Sequence, residues 1–142
     1  MRVVLLGLIA VISACATSVQ DIRERAPLET GGFPRPYQAL ARCVFDRLDA
    51  QIVRGGFPWS PSASPLLAGL PDFLYRLEDP PQQRRARVIA TIPGPPASAM
   101  FEITVEPTAA GTSHVEYRRG SGTSGSVDRG AWKIVTSCGH PG

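Results

Sequence analysis

The sequence lacks most of the patterns that indicate a definite chemistry. It has two histidines and three cysteines, and none of them falls in the H-x-x-x-H or C-x-x-C spacing typical of metal sites. It also lacks the G-x-S-x-G motif that presents a nucleophilic serine, and no paired carboxylates stand out. We therefore expect no metal ion, no cofactor and no catalytic centre.

Long apolar runs are absent as well. The longest, Val3 to Ile12, covers about ten residues, whereas a helix needs roughly 20 to cross a hydrocarbon core of ~30 Å. We therefore expect no permanent transmembrane helix. The net charge is only +3, and Lys133 is the single lysine among 15 cationic residues. Without a concentrated basic footprint, nucleic acid is not expected as a partner.

The first residues do carry a pattern. Arg2 precedes the apolar run and small residues follow it, which is the layout of a secretory signal. The run ends in Ile12-Ser13-Ala14-Cys15, which resembles the bacterial lipobox, an aliphatic residue and two small ones before an obligatory cysteine. The resemblance implies that residues 1–14 are a removed signal peptide and that Cys15 receives lipid. The alternative is an ordinary signal peptide that happens to contain a cysteine.

Lipid on Cys15 implies a location in the bacterial cell envelope. One acyl chain binds a membrane marginally, but two or three chains on one residue anchor a protein firmly. The membrane is then a partner through Cys15. In lipoproteins of enteric bacteria an aspartate after the cysteine retains the protein at the inner membrane. Ala16 stands there in this chain, so the resemblance favours the outer membrane, facing the periplasm.

The two remaining cysteines, Cys43 and Cys138, predict one disulfide, because an exported protein meets an oxidising compartment. Such a bridge closes a loop of 95 residues, for which the chain-entropy model gives an upper value of about 4–5 kcal/mol of stabilisation. The alternative is a reactive pair formed by Cys138 and His140.

The rest of the chain predicts one small α+β domain at residues 36–142, preceded by a lipidated tether at 15–35 whose sequence is polar and ends in Gly and Pro. Leu40, Val44 and Leu48 recur every four residues, which predicts an amphipathic helix from about Tyr37. A proline-rich stretch, 57–71, follows and is interpreted as a covering segment, with a functional flap as the alternative.

The second half of the domain alternates with period two and has short, turn-rich connections, typical of an antiparallel meander. The four predicted strands are 72–78, 85–92, 99–106 and 113–119. Residues 128–138 predict a short helix with Asp128 as its cap, or else a final strand. The expected fold is thus an N-terminal helix, a four-stranded meander and a short C-terminal helix packed on one sheet face.

One candidate binding surface emerges from the strands. If neighbouring strands bring them together, five arginines form a possible anion-binding patch: Arg84, Arg85, Arg87, Arg118 and Arg119. Acidic glycans or lipid phosphates would suit it, and an envelope protein is a further possible partner. The alternative is a solvated, partly salt-bridged face. The G-x-G-x-x-G at 120–125 is interpreted as a flexible loop, because it follows a hairpin series and not a βαβ unit.

The sequence therefore favours a binding or scaffolding role over catalysis. A second hypothesis is a carrier that holds a small apolar ligand in a gap between sheet and helix, lined by Phe101, Val115 and Tyr117. A third is an envelope hydrolase that uses His114 or His140.

Overall fold

The fold was analysed in a computed structural model. It describes residues 17–53, 73–92, 97–121 and 123–140, without the side chains of 51–53. The predicted signal peptide, Cys15 and the proline-rich stretch lie outside the described residues. In chain order the elements are α1 (Val19–Arg23), β1 (Glu29–Phe33), α2 (Tyr37–Val53), β2 (Leu74–Glu78), β3 (Ala86–Ile92), β4 (Ser98–Pro107), β5 (Ser113–Arg119) and α3 (Gly125–Gly139).

The strands form one antiparallel sheet of five, in the order β1-β5-β4-β3-β2. The α+β class and the meander from β2 to β5 are confirmed, but the predicted count of four strands is wrong. Strand β1, with the sequence ETGGF, shows no apolar alternation. It is an edge strand paired through its main chain to β5, with Gly31 opposite Val115, and Phe33 alone of its five residues is buried in the core.

Residues 17–35 pack as part of the domain, although the sequence analysis assigned them to a tether. Helix α1 begins with a capping box: the Ser18 hydroxyl accepts from the Asp21 backbone N–H at 3.1 Å, and the Asp21 carboxylate accepts from the Ser18 backbone N–H at 2.8 Å. Ile22 in the next position is completely buried. A polar segment of this kind folds because a few of its side chains find partners on the sheet.

Helices α2 and α3 both pack on the inner face of the sheet, and their core residues join those of the strands in one cluster. Leu40, Val44 and Leu48 of α2 are completely buried, as their four-residue spacing predicted. Residues 128–138 lie within helix α3, so the prediction of a helix is confirmed and the alternative of a final strand is wrong. Its N-cap is Ser124 and Asp128 lies in its first turn, so the predicted cap is wrong. No described helix is long and apolar enough to cross a membrane.

The predicted disulfide is confirmed. Cys43 on α2 and Cys138 on α3 are bonded, with their Cα atoms 5.9 Å apart. Nearby, Arg35 donates from Nη1 to the carbonyl oxygen of Cys138 at 2.6 Å, which ties the segment after β1 to the end of α3. The bridge therefore holds the two helices of the inner face together across a separation of 95 residues.

Inside the same layer, a buried polar network links α3 to the sheet. The Tyr117 hydroxyl donates to Asp128 Oδ1 at 2.7 Å, and Arg119 Nη1 donates to Asp128 Oδ2 at 3.0 Å. Burial, followed by the hydrogen bond to the Asp128 carboxylate, raises the pKa of the Tyr117 hydroxyl well above its ordinary value. Tyr117 therefore acts as a neutral donor that orients α3.

Removing the disulfide should lower the free energy of unfolding by up to about 4–5 kcal/mol, because the unfolded chain regains the freedom of a long loop. The Cys43→Ala/Cys138→Ala double variant should show this as a lower urea midpoint. Adding a reductant should destabilise the wild type and leave the double variant unchanged. An unchanged midpoint in the double variant would contradict the stabilising role.

Candidate anion-binding site

The outer face of the sheet, opposite α2 and α3, carries rows of charged and polar side chains. Strand register places Arg87, Thr104 and Glu116 in one row across β3, β4 and β5. Helix α1 lies over part of this face and contacts β4 and β5. It brings Arg23 onto Glu102, so a segment distant in sequence completes the surface.

A cleft of about 170 Å³ opens on this face. Its walls carry charges of both signs together with the Thr104 hydroxyl. The arginines are Arg23, Arg85, Arg87 and Arg118, and the glutamates are Glu102, Glu106 and Glu116. We call this the arginine cleft.

The arginine cleft contains three of the five arginines predicted to form one patch. Arg85, Arg87 and Arg118 line it, but Arg84 and Arg119 do not. Neighbouring residues of an extended chain project to opposite faces. Arg119 accordingly reaches Asp128 on the helical side, and Arg84 lies in the turn before β3 with a φ of 45°.

Sequence reasoning missed Arg23, which the structure adds to the cleft. Its segment was interpreted as a tether, and a helix of five residues leaves little periodicity to detect. The one local signal was Ser18 followed by Asp21, the spacing of a capping box. That signal predicts the start of a helix, but it says nothing about which strand the helix covers.

Glu102 is the most buried charged group of the cleft, with its side chain 2% exposed. Arg23 Nε donates to Glu102 Oε2 at 2.8 Å, and the Thr104 hydroxyl donates to Oε1 at 3.4 Å. The hydrogen bond to Glu102 raises the pKa of the Arg23 guanidinium. A buried carboxylate requires such partners, so this pair fixes α1 on the sheet.

Arg87 differs from the other arginines of the cleft. Among the described residues, no carboxylate lies within 4.0 Å of its guanidinium. Glu78 stands opposite it in register, but the Glu78 carboxylate lies 2.9 Å from Arg76 and 3.6 Å from Arg23. Within the described part of the chain, the Arg87 guanidinium donates to one group, the Gln83 side-chain oxygen at 3.2 Å.

The surroundings of Arg87 disfavour its charge. Partial burial, followed by repulsion from Arg23, lowers the pKa of the Arg87 guanidinium below its ordinary value. An anion in the cleft would supply a negative charge close to the Arg87 guanidinium, and it could accept charge-assisted hydrogen bonds from the guanidinium N–H groups. Arg87 is therefore the residue of this surface best suited to hold an anionic ligand.

The remaining cleft arginines are already paired, as the alternative of a partly salt-bridged face predicted. Arg85 contacts Glu106. Arg118 Nη2 lies 2.6 Å from Glu116, and Arg118 Nε donates to the carbonyl oxygen of Arg25 at 3.0 Å. The cleft is thus a mixed-charge site with one uncompensated cation, and it differs from a uniformly positive patch.

A larger groove of about 630 Å³ lies at the end of the sheet where three loops meet. Its walls come from 36–38 at the start of α2, from 83–85 in the β2–β3 turn and from 106–112 between β4 and β5. We call it the loop groove. Arg85 and Glu106 line both the loop groove and the arginine cleft, so the two spaces adjoin.

The histidines proposed for a hydrolase lie on different sides of the sheet. His114 is on the outer face, 3.9 Å from Glu116. His140 follows α3, and its ring centroid lies 5.3 Å from that of Phe33 on the helical side. Their separation does not provide the convergent nucleophile, base and acid that this chemistry needs. In the described parts of the chain, no group of three or more His, Cys, Asp or Glu side chains could hold a metal ion.

The residues proposed to line a carrier's gap belong to the packed core. Phe101, Val115 and Tyr117 are completely buried, and the ring centroids of Phe101 and Tyr117 are 5.4 Å apart. The first glycine of the G-x-G-x-x-G also has a packing role, because the Gly120 N–H donates to the Met100 carbonyl at 2.6 Å. A Cβ at Gly120 would collide with the carbonyl oxygen of Ala99.

Comparisons with protein-family models, with curated proteins and with solved structures find no match to this chain.

Replacing Arg23 by alanine should lower the free energy of unfolding by roughly 2 kcal/mol, because the buried Glu102 carboxylate loses its strongest donor. Arg76→Ala is the matched control: Arg76 also pairs with Glu78, but its side chain is 62% exposed. The control should change stability by less than about 0.5 kcal/mol. Equal losses in urea unfolding would show that α1 is not fixed by this pair.

Proposed function

We propose that this protein is a lipid-anchored binding protein of the bacterial cell envelope, and that its arginine cleft receives an anionic group of the ligand. The observation that carries the binding role is Arg87, a half-buried guanidinium without a carboxylate partner among the described residues. Partial burial and the nearby Arg23 lower the pKa of the Arg87 guanidinium. An unpaired guanidinium of this kind at a surface cleft favours a ligand that supplies the opposite charge.

The location rests on the lipobox resemblance at Ile12 to Cys15. The Cys43–Cys138 disulfide supports it, because such bonds persist in oxidising compartments such as the periplasm. Ala16 after the lipid-acceptor cysteine favours the outer membrane. Acidic glycans and lipid phosphates are the anions that this compartment offers, and a protein partner with an acidic surface is a further candidate.

Binding is favoured over the two other hypotheses by the packing and by the placement of the histidines. A carrier needs an empty apolar gap, whereas Phe101 and Tyr117 pack against each other. A hydrolase needs convergent groups, whereas His114 and His140 lie on opposite sides of the sheet. The arginine cleft combines a concave shape with a partly buried guanidinium that has no carboxylate within 4.0 Å among the described residues.

The anchor is tested by the intact mass of the full chain extracted from bacterial membranes. We expect a chain that begins at Cys15 and carries added acyl mass, with two thiols that react only after reduction. The Cys15→Ser variant should lack the lipid and leave the membrane fraction. A lipid-free wild-type chain would contradict the anchor.

The anion site is tested by titrating the protein with galacturonate, a sugar that carries one carboxylate. Replacing Arg87 by glutamine should weaken binding about tenfold or more, because a charge-assisted hydrogen bond contributes roughly 1.5–3 kcal/mol. Arg76→Gln removes an exposed cation of the same face and should leave the affinity unchanged. Equal affinity of the Arg87 variant and the wild type would contradict the assignment.

A further inference from the structure

The loop groove adjoins the arginine cleft and differs from it in the chemistry of its lining. The cleft is charged throughout, while the groove is lined mainly by uncharged groups. Its volume of about 630 Å³ falls within the range of small-molecule sites. The two spaces share the Arg85–Glu106 ion pair as a common wall. A ligand longer than one chemical group could therefore occupy both.

A side chain of the groove also connects directly to the uncompensated cation of the cleft. Gln83 lines the loop groove, and its side-chain oxygen accepts from Arg87 Nη1 at 3.2 Å. Arg85 and Arg87 are two residues apart along an extended chain, a spacing of about 7 Å. An anion on Arg87 would thus lie next to the entrance of the groove.

The groove offers the groups that recognise sugar rings. The Gln38 and Gln83 amides and the Thr108 and Thr112 hydroxyls line the groove. Gln38 donates to Asp79, Gln83 accepts from Arg87, and the two hydroxyls bond to each other. Each amide keeps a second N–H, and each hydroxyl oxygen can accept a further hydrogen bond. Tyr37 is half-buried against the core and provides an aromatic surface. This combination suits a ligand with many hydroxyls and flat apolar ring faces better than it suits an isolated inorganic anion.

The glutamates of the cleft favour a discrete ligand over a membrane surface. Glu102, Glu106 and Glu116 stand among the arginines, and they would be repelled by a continuous layer of anionic headgroups. Toward a sugar the partly exposed carboxylates of Glu106 and Glu116 can accept hydrogen bonds from hydroxyls, whereas Glu102 is buried. The mixed charge of the cleft thus matches a ligand that carries one carboxylate among several hydroxyl groups.

Arg84 adds a second cation to the groove, in the β2–β3 turn between Gln83 and Arg85. It is exposed, lines the loop groove and has no ion-pair partner within 4.0 Å among the described residues. It has a φ of 45°, a left-handed conformation that is uncommon for a residue with a side chain. Two unpaired arginines, Arg84 in the groove and Arg87 in the cleft, would suit a ligand with repeated negative charges.

From these observations we propose that the loop groove and the arginine cleft form one elongated site for a short acidic oligosaccharide. One carboxylate of the ligand binds Arg87, the sugar rings extend over the Gln83 and Tyr37 side of the groove, and a second carboxylate reaches Arg84. The inference rests on the proposed function, since it takes the anion site at Arg87 as one end of the larger site.

The experiment measures the affinity of the full-length, detergent-solubilised protein for oligogalacturonides of one to four units in one buffer. The tetramer should bind at least tenfold more tightly than the monomer, because it adds contacts along the groove. The variant Arg84→Gly should abolish most of this gain and leave the monomer affinity within twofold. Glycine adopts a positive φ without strain, so this variant is expected to fold. Arg42→Ala, which removes an exposed cation of α2, is the control and should keep the gain.

The outcomes separate the inference from the proposed function. If monomer and tetramer bind equally and both depend on Arg87, the elongated site is overturned and the anion site stands. If no galacturonide binds, both are overturned. Neutral malto-oligosaccharides that bind as tightly as the acidic tetramer would overturn the role of the charges. Binding of the lipid-free Cys15→Ser variant to phosphatidylglycerol vesicles, dependent on Arg87 and in place of the oligosaccharide, would assign the cleft to a lipid headgroup and overturn the glycan.

Discussion

The burial of strand β4 on both faces is the constraint on which the rest of the structure depends. Phe101, Ile103 and Val105 face the core helices, while Glu102 and Thr104 are buried on the outer face. A carboxylate can stay buried only with donors around it. Arg23 supplies the strongest one, and this pair together with the fully buried Ile22 holds helix α1 on the sheet.

That single pairing explains the distribution of charge over the outer face. Arg23 engages Glu102 and also approaches Glu78, so both carboxylates lie within ion-pair distance of Arg23 and not of Arg87. The requirement to satisfy Glu102 thus leaves a different cation unpaired at the surface. If the cleft binds an anion as proposed, stability and binding are coupled, because the ion pair that fixes α1 also determines which arginine remains available to a ligand.

The position of α1 also bears on the proposed anchor. Thr17 is already part of the fold, since its carbonyl accepts from the Ala99 N–H at 2.7 Å. Two extended residues span at most about 7 Å. A lipid on Cys15 would therefore hold the domain close to the membrane. A long flexible tether, in contrast, would let the domain move away from it. The cleft beneath α1 would then meet ligands at the membrane surface.

Local pattern was enough to predict the helix at Tyr37–Val53, the strands β2 to β5 and the disulfide, because side-chain periodicity and paired cysteines are properties of the sequence itself. It could not predict β1 or α1, whose ETGGF and VQDIR segments are ordered by main-chain pairing and by distant partners. The arginine cleft shows the same division between what the local pattern predicts and what the tertiary structure decides. The sequence determined which arginines share a strand, and alternation along the chain separates Arg118 from Arg119. Only the tertiary structure decided that Arg23 pairs with Glu102 and that Arg87 has no carboxylate partner among the described residues, because charge compensation depends on which residues meet in space.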